Sequence, residues 1–257
     1  MELYVPNEFH VSPFAEFYES ISDSFIDIRA VADSLRALIP KGSTIFEIGL
    51  GTGYFASQFA ADGYVIEGIQ PPDEMLPILK RKHPTISIVG ECILEEYEFT
   101  KSYDWIVSHS SVFLFTKHDI PFGRRGEVFT SFVFQSFVIG EALLTRCIEK
   151  TLLALTRNGV LFINIQTNPL ASAVLDVSGG ELIFDMTRCD YFMDIGIVEK
   201  TFRLSFKGHS YHVNDHRQCH SFLWFAREVA QAGFRAELTA DRRWVMISRS
   251  ECAPLRT

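Results

Sequence analysis

From Phe14 to Leu38 the chain reads "FAEFYESISDSFIDIRAVADSLRAL", with apolar residues at three- and four-residue spacing. That spacing predicts an amphipathic helix or a helix pair. The run Pro40-Lys41-Gly42-Ser43 ends it. Short apolar runs then alternate with helical segments, the pattern of a parallel sheet with crossover helices. Strands are expected over 44–48, 64–69, 86–89, 103–108 and 160–165, and helices near 53–62, 73–83 and 138–157. After Gln166 the rhythm changes. Residues 167–221 hold Gly179-Gly180 and the alternating runs "ELIFDM", "KTFRLSFKG" and "SYHVND", which read as antiparallel strands inserted between sheet elements. A helix from Phe222 to Ala232 follows, ended by Gly233, and "FRAELTA" and "RWVMISR" around Asp241-Arg242 read as a closing hairpin.

Composition narrows the classes. A chain of 257 residues at 47% hydrophobic can bury a full core and sits near the upper end of one α/β domain. Its net charge of −8, with Arg124-Arg125 and Arg242-Arg243 as mere pairs, argues against a protein that works by neutralising nucleic-acid phosphates. Five cysteines, at 92, 147, 189, 219 and 252, show no C-x-x-C spacing and fit a reducing cytoplasm. The start "MELYVPNEFH" carries two acidic residues where a secretion signal would be basic. The longest uncharged stretch, Val128 to Gly140, is too short to span a bilayer, so no membrane role is expected. The 23 phenylalanines read first as a phenylalanine-heavy core, with an aromatic substrate pocket as the alternative.

The segment with the clearest chemistry is "TIFEIGLGTGYF", where a short apolar run meets Glu47 and then Gly49, Gly51 and Gly53. Alternate glycines let the backbone turn sharply from strand to helix and leave room for a ligand. No Gly-Lys-Ser or Gly-Lys-Thr closes the turn, and Tyr54 follows Gly53 where the dinucleotide fingerprint needs its third glycine. A carboxylate two residues before the first glycine suits a ligand with a positive end rather than a pyrophosphate.

"FEIGLGTGYF" resembles motif I, E/D-x-G-x-G-x-G, of the class I S-adenosylmethionine-dependent methyltransferases. Later landmarks follow in that family's order. "GIQPPDEML" resembles the second strand's end, with Gln70 where the family has an acidic residue on the ribose, and with Met75 beside it. "VGECI" resembles the family's G-D-A, so Glu91 and Cys92 would flank the adenine. "YDWIVSHSSVFLF" resembles motif IV and would bring Ser108 and His109 to the carboxyl end of the sheet, near the methyl group. "LTRNGVLFIN" and "AREVAQAGF" resemble the segments leading into strands five and six. The likeness covers about residues 40–166 and 222–249.

It implies a Rossmann-like α/β fold: a mostly parallel seven-stranded sheet with helices on both faces, an N-terminal helical lid and an inserted antiparallel segment. The expected organisation is a single domain over 1–257, with a lid over 1–40, a cofactor-binding core over 41–166, a substrate-side β segment over 167–221 and a C-terminal helix and hairpin over 222–257. It also implies S-adenosylmethionine as cofactor and S-adenosylhomocysteine as product.

His109 is the first candidate for a substrate-contacting or proton-accepting group, since imidazole titrates near neutral pH; packing at a strand end is the alternative. Tyr18 resembles a tyrosine that many relatives set over the methionine end of the cofactor. The segment "HSYHVNDHRQCH" gathers four histidines, of which His216 and His220 at i, i+4 would share one helical face as paired metal ligands do. Asn214-Asp215 reads as a turn separating the pairs, so no metal is expected, and Tyr211 and His220 are candidates for lining the acceptor. In "TKHDIPFGRRGEVFTSFVFQSF", Arg124 or Arg125 either binds an acidic substrate group or is solvated beside a core helix or dimer interface.

The expected function is methyl transfer to an oxygen or nitrogen of a small molecule, natural-product-like in kind, with no nucleic-acid partner and a homodimer left open. No motif of the N-P-P-Y type fixes the acceptor atom, so carbon stays open as well. The rival is a methyltransferase-like protein without turnover, which the Gln70 departure keeps in view, and transfer of another part of the cofactor is a third reading.

Overall fold

The computed structural model describes residues 14–122, 127–166, 173–177, 180–192 and 196–250. Among them are six helices and thirteen strands. The chain opens with the helix pair α1 (Phe14–Phe25) and α2 (Ile28–Arg36), the second capped by Asp27, whose carboxylate accepts from the Ala30 amide at 3.0 Å. There follow β1 (Thr44–Ile48), α3 (Tyr54–Ala60), β2 (Val65–Ile69), α4 (Met75–Lys82), β3 (Ser87–Gly90) and β4 (Tyr103–Ser108). The next elements are β5 (Phe113–Phe122), β6 (Glu127–Ser136), α5 (Glu141–Leu153) and β7 (Leu155–Gln166). Strands β8 (Ala173–Val177), β9 (Gly180–Phe192), β10 (Ile197–Phe206) and β11 (His209–Ser221) precede α6 (Phe222–Gln231), β12 (Phe234–Leu238) and β13 (Trp244–Arg249).

Seven strands form the main sheet in the order β3-β2-β1-β4-β7-β13-β12, parallel except where β13 runs against β7 and β12. Its parallel part is what the alternating pattern predicts, and the seven-stranded whole is what the family resemblance implies. Its central strands read as near-continuous apolar runs because helices cover both faces. One face packs Phe46, Ile106, Leu161 and Ile163 with α5 and α6, and the other packs Ile45, Val107, Phe162 and Trp244 with α2 and α3. Phenylalanine dominates the large buried side chains of the core and the extension together: of the eleven largest that are fully buried, ten are phenylalanine and the other is Trp244. No helix among the described residues is long and apolar enough to cross a membrane.

A second, antiparallel region grows from the same sheet. Strand β7 pairs with β13 up to Asn164, and its last residues pass to β5 through Phe115↔Ile165 and Thr116↔Gln166. From β5 the order continues β6-β11-β10-β9-β8. Three expectations are corrected. Residues Glu127–Ser136 form a strand, where one reading of the arginine pair set a core helix beside it; Phe134 and Ser136 on one face and Val133 and Gln135 on the other are all buried. The inserted β region therefore starts with the β5–β6 hairpin, well before residue 167. Asn214-Asp215 makes no turn: His209–Ser221 is one strand, paired with β10 throughout its length to Gln218.

Helix α1 joins the two regions. Ile21 with Phe17 and Phe25 packs on Leu182, Phe184, Phe202 and Leu204 of the antiparallel extension, while Ala15 and Tyr18 pack on Met75 and Ile78 of α4. Lys82 to Glu19 at 2.8 Å and Arg81 to Glu16 at 3.2 Å tie the same two helices at the surface.

Candidate active site

The carboxyl ends of β1, β2, β4 and β7 meet at one edge, where open α/β sheets bind ligands. The turn after β1 has φ of +75° at Gly49, +58° at Gly51 and +81° at Gly53, values that exclude ordinary side chains. The three glycines differ in purpose. A Cβ on Gly53 would lie 2.4 Å from Leu79, so that glycine lets α3 close on α4, and one on Gly49 would lie 2.8 Å from Ser111. Gly51 would meet only Met75 sulfur, at 3.7 Å, and is the open position of the turn.

Glu47, next to last in β1, is 3% exposed. Its carboxylate makes no hydrogen bond or ion pair among the described residues, and burial holds its pKa well above the usual carboxylate range. A buried acid without a cation is costly unless a ligand supplies one. The Thr52 hydroxyl, in the same turn, is likewise buried without a partner among the described residues. These orphaned groups and the open Gly51 fit a cofactor with a cationic end.

Gln70 is buried, and its amide works both ways: Oε1 accepts from the Gly51 amide at 2.6 Å and Nε2 donates to both oxygens of Asp73 at 3.0 Å. A carboxylate at this position would face Asp73 with like charge, whereas an amide has the donor and acceptor that the two neighbours need. The acidic group on this side of the turn is thus Asp73, which also accepts from the Met75 amide at 3.0 Å. Glu91 is half exposed and paired with Lys80 at 2.5 Å, and the Cys92 thiol is partly buried, which raises its pKa.

Ser108 spends its hydroxyl on structure, donating to the Phe113 carbonyl at 2.8 Å and accepting from the Phe113 amide at 3.1 Å. It shapes the turn after β4, where Ser110 has φ of +49° and its amide donates to Asn164 at 2.6 Å. A non-glycine residue in that region signals a constrained turn. Between these two serines lies His109, buried and stacked on Phe55 with ring centroids 4.1 Å apart. Its Nε2 has no partner among the described residues, and burial lowers its pKa to about 3, so the ring is neutral at pH 7.

Opposite this edge, one face of the extension is polar although buried. The buried Thr116, Gln135, Asp215 and Arg217 lie on it with the half-buried Lys200, as cross-strand pairing of Lys200 with Asp215 and of Gln135 with Cys219 requires. The Tyr18 hydroxyl, on α1, feels the charges of both Arg217 and Glu47, and burial raises its pKa. The face also touches the edge directly, because Thr116 is paired with Gln166, whose amide donates to Ser110 at 3.1 Å.

The structure thus brings together Tyr18, Glu47, Gly49, Gly51, Gly53, Gln70, Met75, Ser108 and His109. It does not bring His220 or Tyr211 there. His220 points to the other face of β11, stacked on Trp224 at 3.7 Å, and Tyr211 is 41% exposed, six residues up the strand from Arg217 and so roughly 20 Å away. His216 and His220, on an extended strand, stand roughly 13 Å apart and cannot share a metal as helical neighbours would; among the described residues no group of three or more metal-ligating side chains occurs. Arg124 lies outside the described residues. Sequence reading missed Ser110, Asn164, Gln135, Lys200 and Arg217. Alternation of Asp215, Arg217 and Cys219 was the available signal, once the segment is taken as a strand.

No protein-family model matches the chain, and no curated protein does. Solved structures match throughout. The S-adenosylmethionine-bound amino pentose methyltransferase CalS10 of Micromonospora echinaspora superposes with a TM-score of 0.63 at 15% identity, over 97% of this chain and 99% of that one. The sugar N-methyltransferase KedS8 of a Streptoalloteichus species gives 0.61 at 15%, over 94% of each chain. The CcbJ methyltransferase of Streptomyces caelestis gives 0.63 at 13%, over 94% and 98%. The chain has the Rossmann-like fold of these methyltransferases.

Proposed function

We propose that this protein binds S-adenosylmethionine at the turn after β1 and moves its methyl group to a nitrogen or oxygen of a small molecule, leaving S-adenosylhomocysteine. The observation that carries this reading is Glu47, a buried carboxylate with no cation partner among the described residues, set just before a turn of positive-φ glycines. It suits the amino group of the cofactor, and the resemblance of "FEIGLGTGYF" to motif I supports the same assignment. When bound, the cofactor supplies a methyl carbon already activated by its sulfonium.

The chain's own residues then have distinct tasks. Gly51 admits the ligand, Met75 and Tyr18 border it, and Asp73, steadied by Gln70, offers the carboxylate for the ribose hydroxyls. Tyr18 and its helix shield the edge from water. His109, with a pKa of about 3, is a weak base but a sound hydrogen-bond acceptor, able to orient an N–H or O–H of the acceptor. An amine that arrives neutral needs no stronger base. A nitrogen target is also supported by the similar KedS8, a sugar N-methyltransferase, and an amine-bearing acceptor by CalS10, an amino pentose methyltransferase.

Calorimetric titration with S-adenosylmethionine and S-adenosylhomocysteine tests the cofactor assignment, with Glu47→Gln as the comparison. Binding to the wild type and a loss of about 100-fold in the variant are expected, because removing one partner of a buried charge pair costs about 2–5 kcal/mol. Incubation with amines and alcohols should then yield S-adenosylhomocysteine. Methylthioadenosine would instead reassign the transferred group, and folded, cofactor-free protein that gives no heat with either ligand would overturn the reading.

A further inference from the structure

The buried polar face of the extension is unusual in what it leaves unsatisfied. Arg217 is anchored on one side, its Nε donating to both carboxylate oxygens of Asp215 at 3.0 and 2.9 Å, and its Cζ lies 4.1 Å from the centroid of the Phe137 ring. Its Nη1 is fully buried and has no hydrogen-bond partner among the described residues. A guanidinium pinned at Nε and along its flat face, with an unused donor, is a preorganised receptor for a planar anion.

Lys200 reinforces it from the next strand. It sits opposite Asp215 in the register, and its ammonium donates to Gln135 Oε1 at 3.1 Å. Gln135 is in turn fixed by donating to Thr116 at 2.8 Å. Burial and the nearby Arg217 depress the Lys200 pKa to about 8, which leaves it mostly charged at pH 7. Among the described residues, Lys200 and Arg217 set two cations against the single carboxylate of Asp215 on this face, an excess of one positive charge. Such an excess is costly unless a ligand neutralises it. One monoanion balances it, whereas a phosphate dianion would overshoot.

We propose that Arg217, with Lys200 beside it, forms a subsite for a carboxylate carried by the methyl acceptor, held across from the glycine turn under Tyr18. The assignment rests on the methyltransferase reading for the word acceptor, but the subsite itself rests on the extension alone. It places the substrate among small carboxylic acids bearing an amine or hydroxyl, and it makes the antiparallel extension the specificity element.

The test measures binding of benzoate, benzamide and phenyl phosphate to the full chain by saturation-transfer NMR, with S-adenosylhomocysteine binding followed separately by calorimetry. Benzoate is expected to bind the wild type at least tenfold more tightly than benzamide and more tightly than phenyl phosphate. Arg217→Lys keeps the charge beside Asp215 and loses the planar fork, and it should weaken benzoate at least tenfold while S-adenosylhomocysteine binding stays within twofold. Benzoate no better than benzamide, or unaffected by Arg217→Lys, overturns the subsite even if the cofactor binds. A preference for phenyl phosphate overturns the carboxylate assignment. Benzoate binding that depends on Arg217 in a protein that ignores S-adenosylhomocysteine upholds the subsite and removes the methyl-transfer reading instead.

Discussion

The parallel core and the antiparallel extension are built on opposite rules. Buried positions of the core strands are almost wholly apolar, with Glu47 as the acidic departure, whereas the face of the extension turned to the same edge buries Thr116, Gln135, Asp215 and Arg217 and half-buries Lys200. A region that binds a constant cofactor needs a rigid scaffold and few placed charges. A region that selects an acceptor needs several, and must satisfy each one that the ligand does not.

The junction between the regions is where the comparison breaks most easily. Phe134 is fully buried between them, with ring centroids 4.5 Å from Phe225 and 5.3 Å from Phe115. Phe134→Ala should cost about 3–5 kcal/mol. A single, lowered calorimetric transition is expected; two transitions would mean that the extension melts by itself.

Glu47→Gln should separate function from stability within the core. Because the folded pKa of Glu47 lies above its unfolded value, the destabilisation it brings is absent at low pH and grows as pH rises past about 4.3. Without cofactor, the variant should therefore melt above the wild type, by a margin that widens from pH 4 to pH 7. An apo protein that melts lower with glutamine would show that Glu47 has an internal partner.

His109 has the opposite sign. Its folded pKa of about 3 lies below the unfolded value, so its neutral burial is fully tolerated above about pH 6.5 and costs about 1.4 kcal/mol per pH unit as pH falls below it. Urea melts of His109→Phe should converge on wild type at pH 7 and exceed it increasingly toward pH 4. A constant offset would place the effect in packing against Phe55 alone.

Gln70→Glu sharpens the cofactor side further. It sets a second carboxylate against Asp73, and about a tenfold loss of S-adenosylmethionine affinity is expected, with recovery in Gln70→Glu/Asp73→Asn. Tyr211→Ala marks the small end of the scale. With its side chain exposed and far from the edge, it should change stability by less than about 0.5 kcal/mol and leave binding untouched.

Much of the core was legible because its signals are local. The runs "TIFEI", "WIVS" and "LFINI", the breaks at Gly53 and Gly233, and the helix after Ser221 mark strands and helices within a few residues, and backbone propensity with burial on both faces gives them one reading. Glu47 and the glycine turn were found the same way, since a ligand turn uses neighbours in sequence. The extension was less legible: "VFTSFVFQSF" follows no strict alternation and draws no element from its pattern, and "NDHRQCH" contains a turn-like pair that pairing with β10 overrides.

The amino-acid sequence by itself determined the alternating α/β frame, the glycine turn and the acid before it, because each depends on residues adjacent along the chain. Only the tertiary structure decided that Gln70 serves Asp73, that His220 turns away while His109 stays, and that Lys200, Asp215 and Arg217 share one buried face. Those outcomes depend on strand register and on which charges lose their water together, and both are set by residues far apart in the chain.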